Sequence, residues 1–289
     1  YVKFRVEGRD ACRILNNVSA GNVDVAMGKV VYTQWLNPRG GIEADVTITR
    51  LSEAAYLVVT IAASQTRDVT PGLPMLAIMG PKSRALLEKV SGADLSNAAF
   101  PFGTSQEIAV GYATVRASRL TFVGELGWEL YIPTDFAMHV FDKIVEAGQE
   151  FGLSHAGFFA LNSLRVEKGY RHWGHDIGEE DTPIQAGLSF AVDYNKAEFV
   201  GRDALLRARD AGVPTKRLVQ FQLPDGCRKM LYHEEPIYKE GRIIGSITSG
   251  GYGHRLDRSM GMGYIYNADG VTRDFINAGG FEIEIACER

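Results

Sequence analysis

The stretch Asn37-Pro38-Arg39-Gly40-Gly41-Ile42-Glu43-Ala44-Asp45 constrains the fold of this chain more than any other. Before it runs Val30-Val31-Tyr32-Thr33-Gln34-Trp35-Leu36, and after it Val46-Thr47-Ile48-Thr49-Arg50-Leu51. Both runs are rich in β-branched and aromatic residues, which predicts strands. The Asn, Pro and paired Gly between them predict a hairpin loop of moderate length. A plain turn accounts for the loop residues. It does not call for a carboxylate at the start of the second strand, whereas a site that pairs with a protonated nitrogen does. Asp45 is therefore the first candidate for a catalytic residue.

A chain of 289 residues holds one large domain or a few small ones. The formal net charge of −4 supplies no global field for nucleic acid or an anionic membrane, so neither is an expected partner. The apolar runs all break before membrane-spanning length. Cys12, Cys227 and Cys287 are far apart and odd in number. That argues against a disulfide framework or zinc site and fits a reducing compartment: the cytoplasm, or the mitochondrial matrix in a eukaryote. The opening Tyr1-Val2-Lys3-Phe4-Arg5-Val6 alternates like a strand and carries no initiator Met, so the chain reads as cut from something longer.

Strands and helices mix in an order that predicts α+β architecture rather than a doubly wound parallel sheet. Arg9 to Asn17 reads as a short helix. Residues 30–36, 45–51, 55–61 and 73–79 read as strands. Gly80-Pro81-Lys82-Ser83 opens a helix through Val90, with Pro81 in its first turn. Ile108 to Ala117 reads as one strand, Thr134 as the N-cap of a helix through Ala147, and Phe158 to Gly169 as a helix with Phe158, Leu161 and Leu164 on one apolar face. After Pro214 the chain becomes short strands and turns with no helix, which predicts a small barrel or sandwich. The expected parts are residues 1–69, 70–213 and 214–289.

Four further segments carry chemistry-bearing residues. In Gly124-Glu125-Leu126-Gly127-Trp128-Glu129, the carboxylate of Glu129 is either a solvated strand residue or an acceptor for paired N–H donors. In Asn162-Ser163-Leu164-Arg165-Val166-Glu167-Lys168-Gly169-Tyr170, Arg165 suits a carboxylate ligand or an ion pair within the protein. Tyr170-Arg171-His172-Trp173-Gly174-His175-Asp176-Ile177 invites a metal reading, but no third ligand with zinc-like spacing follows, and no metal is expected. Gly245-Ser246-Ile247-Thr248-Ser249-Gly250-Gly251-Tyr252-Gly253-His254 is Gly-rich, yet it lacks the Lys and following helix of a phosphate loop. G-x-G-x-x-G after a first strand is absent, so no flavin-binding Rossmann segment is expected in this chain.

Tyr32 followed by N-x-x-G-G-I-x-x-D resembles the folate-site loop of the aminomethyltransferase family, which includes the T-protein of the glycine cleavage system and the folate domains of dimethylglycine and sarcosine dehydrogenases and oxidases. The other segments resemble that family's motifs in the same order. The forms H-W-G-H-D-I and Phe199-Val200-Gly201-Arg202-Asp203-Ala204-Leu205 lie nearer the dehydrogenase branch than the free-standing T-protein. The resemblance implies a T-protein-like, multidomain α+β folate-binding fold with a C-terminal all-β, barrel-like domain. It implies tetrahydrofolate as cofactor, Asp45 as the catalytic carboxylate, Tyr32 lining the site and Glu129 on the pterin ring. Phe122 takes the place of a family Tyr and keeps the capacity to stack. Arg165 then meets the folate tail or braces the site, and Trp173 belongs to a segment that shapes the pocket floor.

The implied reaction is capture by tetrahydrofolate of the imine or formaldehyde unit left by N-methyl amine oxidation, giving 5,10-methylenetetrahydrofolate. Partners would be folate, a one-carbon donor and a flavin-binding domain or subunit, with FAD present only in such a separate domain. A free-standing aminomethyltransferase, a folate-dependent demethylase and a non-catalytic folate-binding protein remain alternatives. In the family, a helix and a strand separate segments like Gln65-Thr66-Arg67-Asp68 and Asp68-Val69-Thr70, which here run together. Either the protein lacks them or the chain joins across an absent stretch.

Overall fold

The computed structural model describes residues 2–60, 72–227 and 229–289. The junction at 65–71 and the expected boundary at 69/70 lie outside these residues. The chain divides into two compact units, Tyr1–Asn16, Asn22–Thr33 and Val46–Ala156 in one, and Asn17–Gly21, Gln34–Asp45 and Gly157–Arg289 in the other. Helices and sheets are mixed, and the C-terminal part is β-rich.

The first sheet contains β1 (Val2–Glu7), β2 (Val30–Leu36), β3 (Ile42–Ser52) and β4 (Ala55–Thr60) in the order β1-β4-β3-β2. The predicted hairpin is the β2–β3 connection. The short helix α1 (Ala11–Val18) turns Ala11 and Leu15 inward.

A second sheet is built from β5 (Met75–Met79), β6 (Ser105–Val110), β7 (Ala113–Ser118) and β8 (Gly127–Tyr131), ordered β5-β8-β7-β6. Its apolar face packs with α2 (Ser83–Ser91) and α3 (Ala137–Gly148) in a core that includes Trp128, Leu130, Val115, Leu87 and Val140. Alternation along β8 sends Trp128 and Leu130 into this core. Glu129 and Tyr131 therefore share the opposite face.

Two more helices, α4 (Phe158–Glu167) and α5 (Arg202–Asp210), precede a five-stranded antiparallel sheet. It runs β13-β10-β11-β12-β9, with β9 Lys216–Gln222, β10 Pro236–Lys239, β11 Arg242–Gly253, β12 Arg258–Tyr266 and β13 Phe281–Ile283. Leu231, Ile237, Ile247, Ile265 and Val271 form its core. The Gly-rich run lies inside β11. A Cβ on Gly250 would sit 2.0 Å from the Leu231 carbonyl oxygen, so close packing of the backbone explains that glycine.

Five local expectations are corrected. Ile108 to Ala117 is two strands, because the chain reverses at Gly111, whose φ is +60°. Pro81 precedes its helix, which starts at Ser83. Thr134 does not cap α3; it begins a 3-10 turn (Thr134–Phe136), and its hydroxyl donates to the Gly72 carbonyl. Phe158 is 67% exposed, and the buried residues of α4 are the consecutive Arg165, Val166 and Glu167 of its last turn, where Val166 joins an apolar cluster with Leu218, Met260 and Met262 and Arg165 is held by polar partners. A helix does follow residue 212: α6 (Arg273–Asn277), capped by the Thr272 hydroxyl, which accepts from Phe275 N at 3.0 Å. At one turn, it is too short for periodicity to register. Among the described residues, no helix is long and apolar enough to cross a membrane.

Candidate functional site

The loop between β2 and β3 is shaped by its own side chains. Asn37 Oδ1 accepts from Arg39 N and Gly41 N, both at 3.0 Å, and the Asn37 carbonyl accepts from Gly40 N at 2.9 Å. These Asx contacts fold the loop back on itself. Gly40 has φ +87°, in the left-handed region that favours glycine. Gly41 is required for a different reason: a Cβ there would lie 1.8 Å from the Glu179 carbonyl oxygen.

That close approach belongs to a wider clamp. Asn37 Nδ2 donates to Glu179 O at 3.2 Å, and Ile42 N donates to Gly178 O at 3.2 Å and Asp181 O at 3.1 Å. Trp173 Nε1 donates to Ile42 O at 2.9 Å. The structure thus brings the Asn37 loop and the H-W-G-H-D-I segment together, and Trp173 serves as a strut for the strand that carries Asp45. Asp45 is half-buried, and its Oδ1 accepts from Gln34 Nε2 at 3.0 Å. Sequence reasoning missed Gln34, which is fully buried inside β2. An amide among β-branched and aromatic residues was the available signal.

Arg165 is 2% exposed and spends all its donors on protein. Its Nε and one terminal nitrogen donate to Asn162 Oδ1 at 2.9 and 2.7 Å, and that nitrogen also reaches Ser249 Oγ at 2.8 Å. The other nitrogen donates to Tyr170 O at 3.1 Å and pairs with Asp176 Oδ2 at 2.5 Å. Asp176 is saturated in turn by Thr248 Oγ1 at 2.6 Å and His172 N at 2.9 Å. A guanidinium has five N–H donors, and all are committed, so the geometry is that of the internal ion pair rather than a hand for the folate tail. Burial, and then the Arg165 and His175 charges, hold the His172 imidazole below its ordinary pKa; its buried Nδ1 has no hydrogen-bond partner among the described residues.

Tyr32, Phe122 and Glu129 belong to the other unit. Tyr32 is half-buried on β2, and Phe122 is half-buried in the bend before β8. That bend is organised by Thr121, whose hydroxyl accepts from Val123 N and Glu125 N at 3.2 Å each. Glu129 Oε2 accepts from the Tyr131 hydroxyl at 2.5 Å. Burial pushes the Glu129 carboxyl above the usual carboxylate range, while Tyr131 and the Lys3 ammonium pull it back. Burial likewise lowers the Lys3 amine, against the attraction of Glu129. Tyr131 was legible as the same-face neighbour two residues along the strand; Lys3 was not. A cleft of about 470 Å³ lined by Pro38 and residues 197–203 contains none of the predicted site residues.

Comparison with known proteins matches the GCVT N-terminal domain over residues 1–196 and the glycine cleavage T-protein C-terminal barrel domain over residues 216–289. The chain is 42% identical to 4-methylaminobutanoate oxidase (formaldehyde-forming) of Paenarthrobacter nicotinovorans, across 95% of this chain and 35% of that protein. It is 36% identical to human mitochondrial sarcosine dehydrogenase, across 98% of this chain and 34% of that protein. The chain therefore spans about a third of the length of these relatives. The crystal structure of the glycine cleavage system aminomethyltransferase T from Bartonella henselae superposes with a TM-score of 0.81 at 27% identity, covering 91% of this chain and 75% of that one.

Proposed function

This chain belongs to the glycine cleavage T-protein family of folate-dependent aminomethyltransferase type, and from that premise we propose that it captures a one-carbon unit on tetrahydrofolate. The unit is the formaldehyde or iminium carbon released when an N-methyl amine is oxidised, and the product is 5,10-methylenetetrahydrofolate. With formaldehyde the balance is simple: two folate N–H bonds are replaced by two C–N bonds to one carbon, and one water leaves. The formaldehyde-forming oxidase among the relatives supports this class of donor. Amine oxidation itself falls to a separate flavin-binding domain or subunit.

The observation that carries the reading is the Asp45 carboxylate, fixed by Gln34 on a strand whose start is clamped by Trp173. A fixed anion stabilises the cation that forms when a folate nitrogen attacks the carbon, and it can take up the proton that nitrogen loses. Proximity and exclusion of bulk water supply much of the remaining gain. Glu129 accepts N–H groups of the pterin edge, and Tyr32 and Phe122 offer aromatic faces to the ring. Arg165 braces its own unit through Asn162, Asp176 and Ser249.

Titration calorimetry with folinic acid tests recognition. The protein should bind it, and Glu129→Ala should weaken binding by about 1–3 kcal/mol, the worth of hydrogen bonds to a charged acceptor. An absence of heat at millimolar ligand sinks the folate reading.

A further inference from the structure

Gln34 combines two features that packing does not explain. Its side chain is fully buried, with Nε2 donating to Asp45 Oδ1 at 3.0 Å, while its Oε1 is buried with no hydrogen-bond partner among the described residues. A side chain placed for stability alone would be apolar here, or would satisfy both ends of its amide. The orphaned oxygen follows from the carboxylate: facing an anion, the amide must present N–H₂ and turn its oxygen away.

We propose that Gln34 is a positioning residue for Asp45, locking the rotation of the carboxylate by holding Oδ1. The assignment rests on the catalytic reading of Asp45 and deepens it. A hydrogen bond from a neutral donor favours the anion without neutralising it, whereas an Arg or Lys in this place would quench the charge that the reaction needs. It also keeps the carboxylate in one orientation as the cation develops, so reorientation costs nothing during the reaction.

The test uses Gln34→Met, which keeps the shape and removes both polar ends. Single-turnover formation of methylenetetrahydrofolate from formaldehyde at saturating tetrahydrofolate should slow about tenfold, within the range for loss of a group that supports transition-state electrostatics. The acid limb of the pH–rate profile should move up by about one unit, because the anion has lost a donor. Folinic acid affinity should stay within about twofold, and the melting temperature should hold or rise because the orphaned oxygen is gone. Gln34→Glu, of the same shape, places a second carboxylate beside Asp45 and should move the limb further; it serves as the second variant if Gln34→Met does not fold.

An unmoved acid limb, or rate, affinity and melting temperature falling together, overturns the proposal. Carbon-13 carboxyl NMR of the ligand-free protein, with Asp45 assigned from the Asp45→Asn spectrum, separates the two levels. If Asp45→Asn leaves the rate unchanged, the catalytic reading fails. If the Asp45 carboxyl titrates alike in wild type and Gln34→Met, the positioning role fails whatever the reaction is.

Discussion

The Arg165–Asp176 pair and the Glu129–Tyr131 pair are both buried and polar, but they are completed to different degrees. Around Arg165 and Asp176 every N–H and both carboxylate oxygens have protein partners, from Asn162, Tyr170, His172, Thr248 and Ser249. Glu129 has the Tyr131 hydroxyl on Oε2 and, among the described residues, no hydrogen bond to Oε1. The first arrangement has nothing left to offer a ligand. The second holds a carboxylate that burial works against, with acceptor capacity in reserve. A closed network reads as a brace, whereas the proposed pterin-binding role of Glu129 requires the spare acceptor capacity that the open group keeps.

The largest effect should come from breaking the brace. Asp176→Ala or Arg165→Ala leaves a buried charge alone and should cost about 3–5 kcal/mol in denaturant unfolding. The double variant should cost less than the sum of the two. If Arg165→Ala keeps its stability and loses folinic acid affinity instead, the comparison is broken and Arg165 returns to a ligand-binding role.

Asp45→Asn should come next. It should slow methylenetetrahydrofolate formation by about 10²-fold or more, about 2.7 kcal/mol, while folate affinity barely moves. Parallel losses of rate and affinity would assign Asp45 a structural part in the hairpin.

The smallest effect concerns pH and has the opposite sign to the first. A carboxyl raised above its ordinary range binds more protons in the folded than in the unfolded protein within that interval. Stability therefore falls as pH rises from the ordinary carboxylate range through the raised value, and the deficit persists above it. Glu129→Gln should remove this slope, leaving the variant more stable than wild type at neutral pH and not at pH 4, read from urea midpoints at each pH. A variant less stable than wild type at both pH values would place Glu129 in a brace like Arg165.

Much of the candidate site was legible because its chemistry is local. The bounds of β2 follow from its β-branched and aromatic run, whereas β3 begins at Ile42, three residues before the expected 45, because Ile42 N and O are held by Gly178, Asp181 and Trp173. Asn37 bonds to residues two and four positions away, Gly40 takes a backbone conformation that needs no tertiary cause, and the family motifs are contiguous. The β-rich C-terminal part was legible from strand and turn signals for the same reason. What sequence alone determined about this protein is its family and its mixed architecture, since turn chemistry, alternation and motif order are properties of neighbouring residues.

Tertiary structure decided what those groups are bonded to. Asp176 lies 11 residues from Arg165, and Ser249 lies 84 away. Glu179, which makes Gly41 obligatory, touches Asn37 across 142 residues, and Trp173 reaches Ile42 across 131. No periodicity carries such pairings. They arise when sheets and helices pack, and each buried donor or acceptor then takes whichever partner the fold has brought within hydrogen-bonding distance.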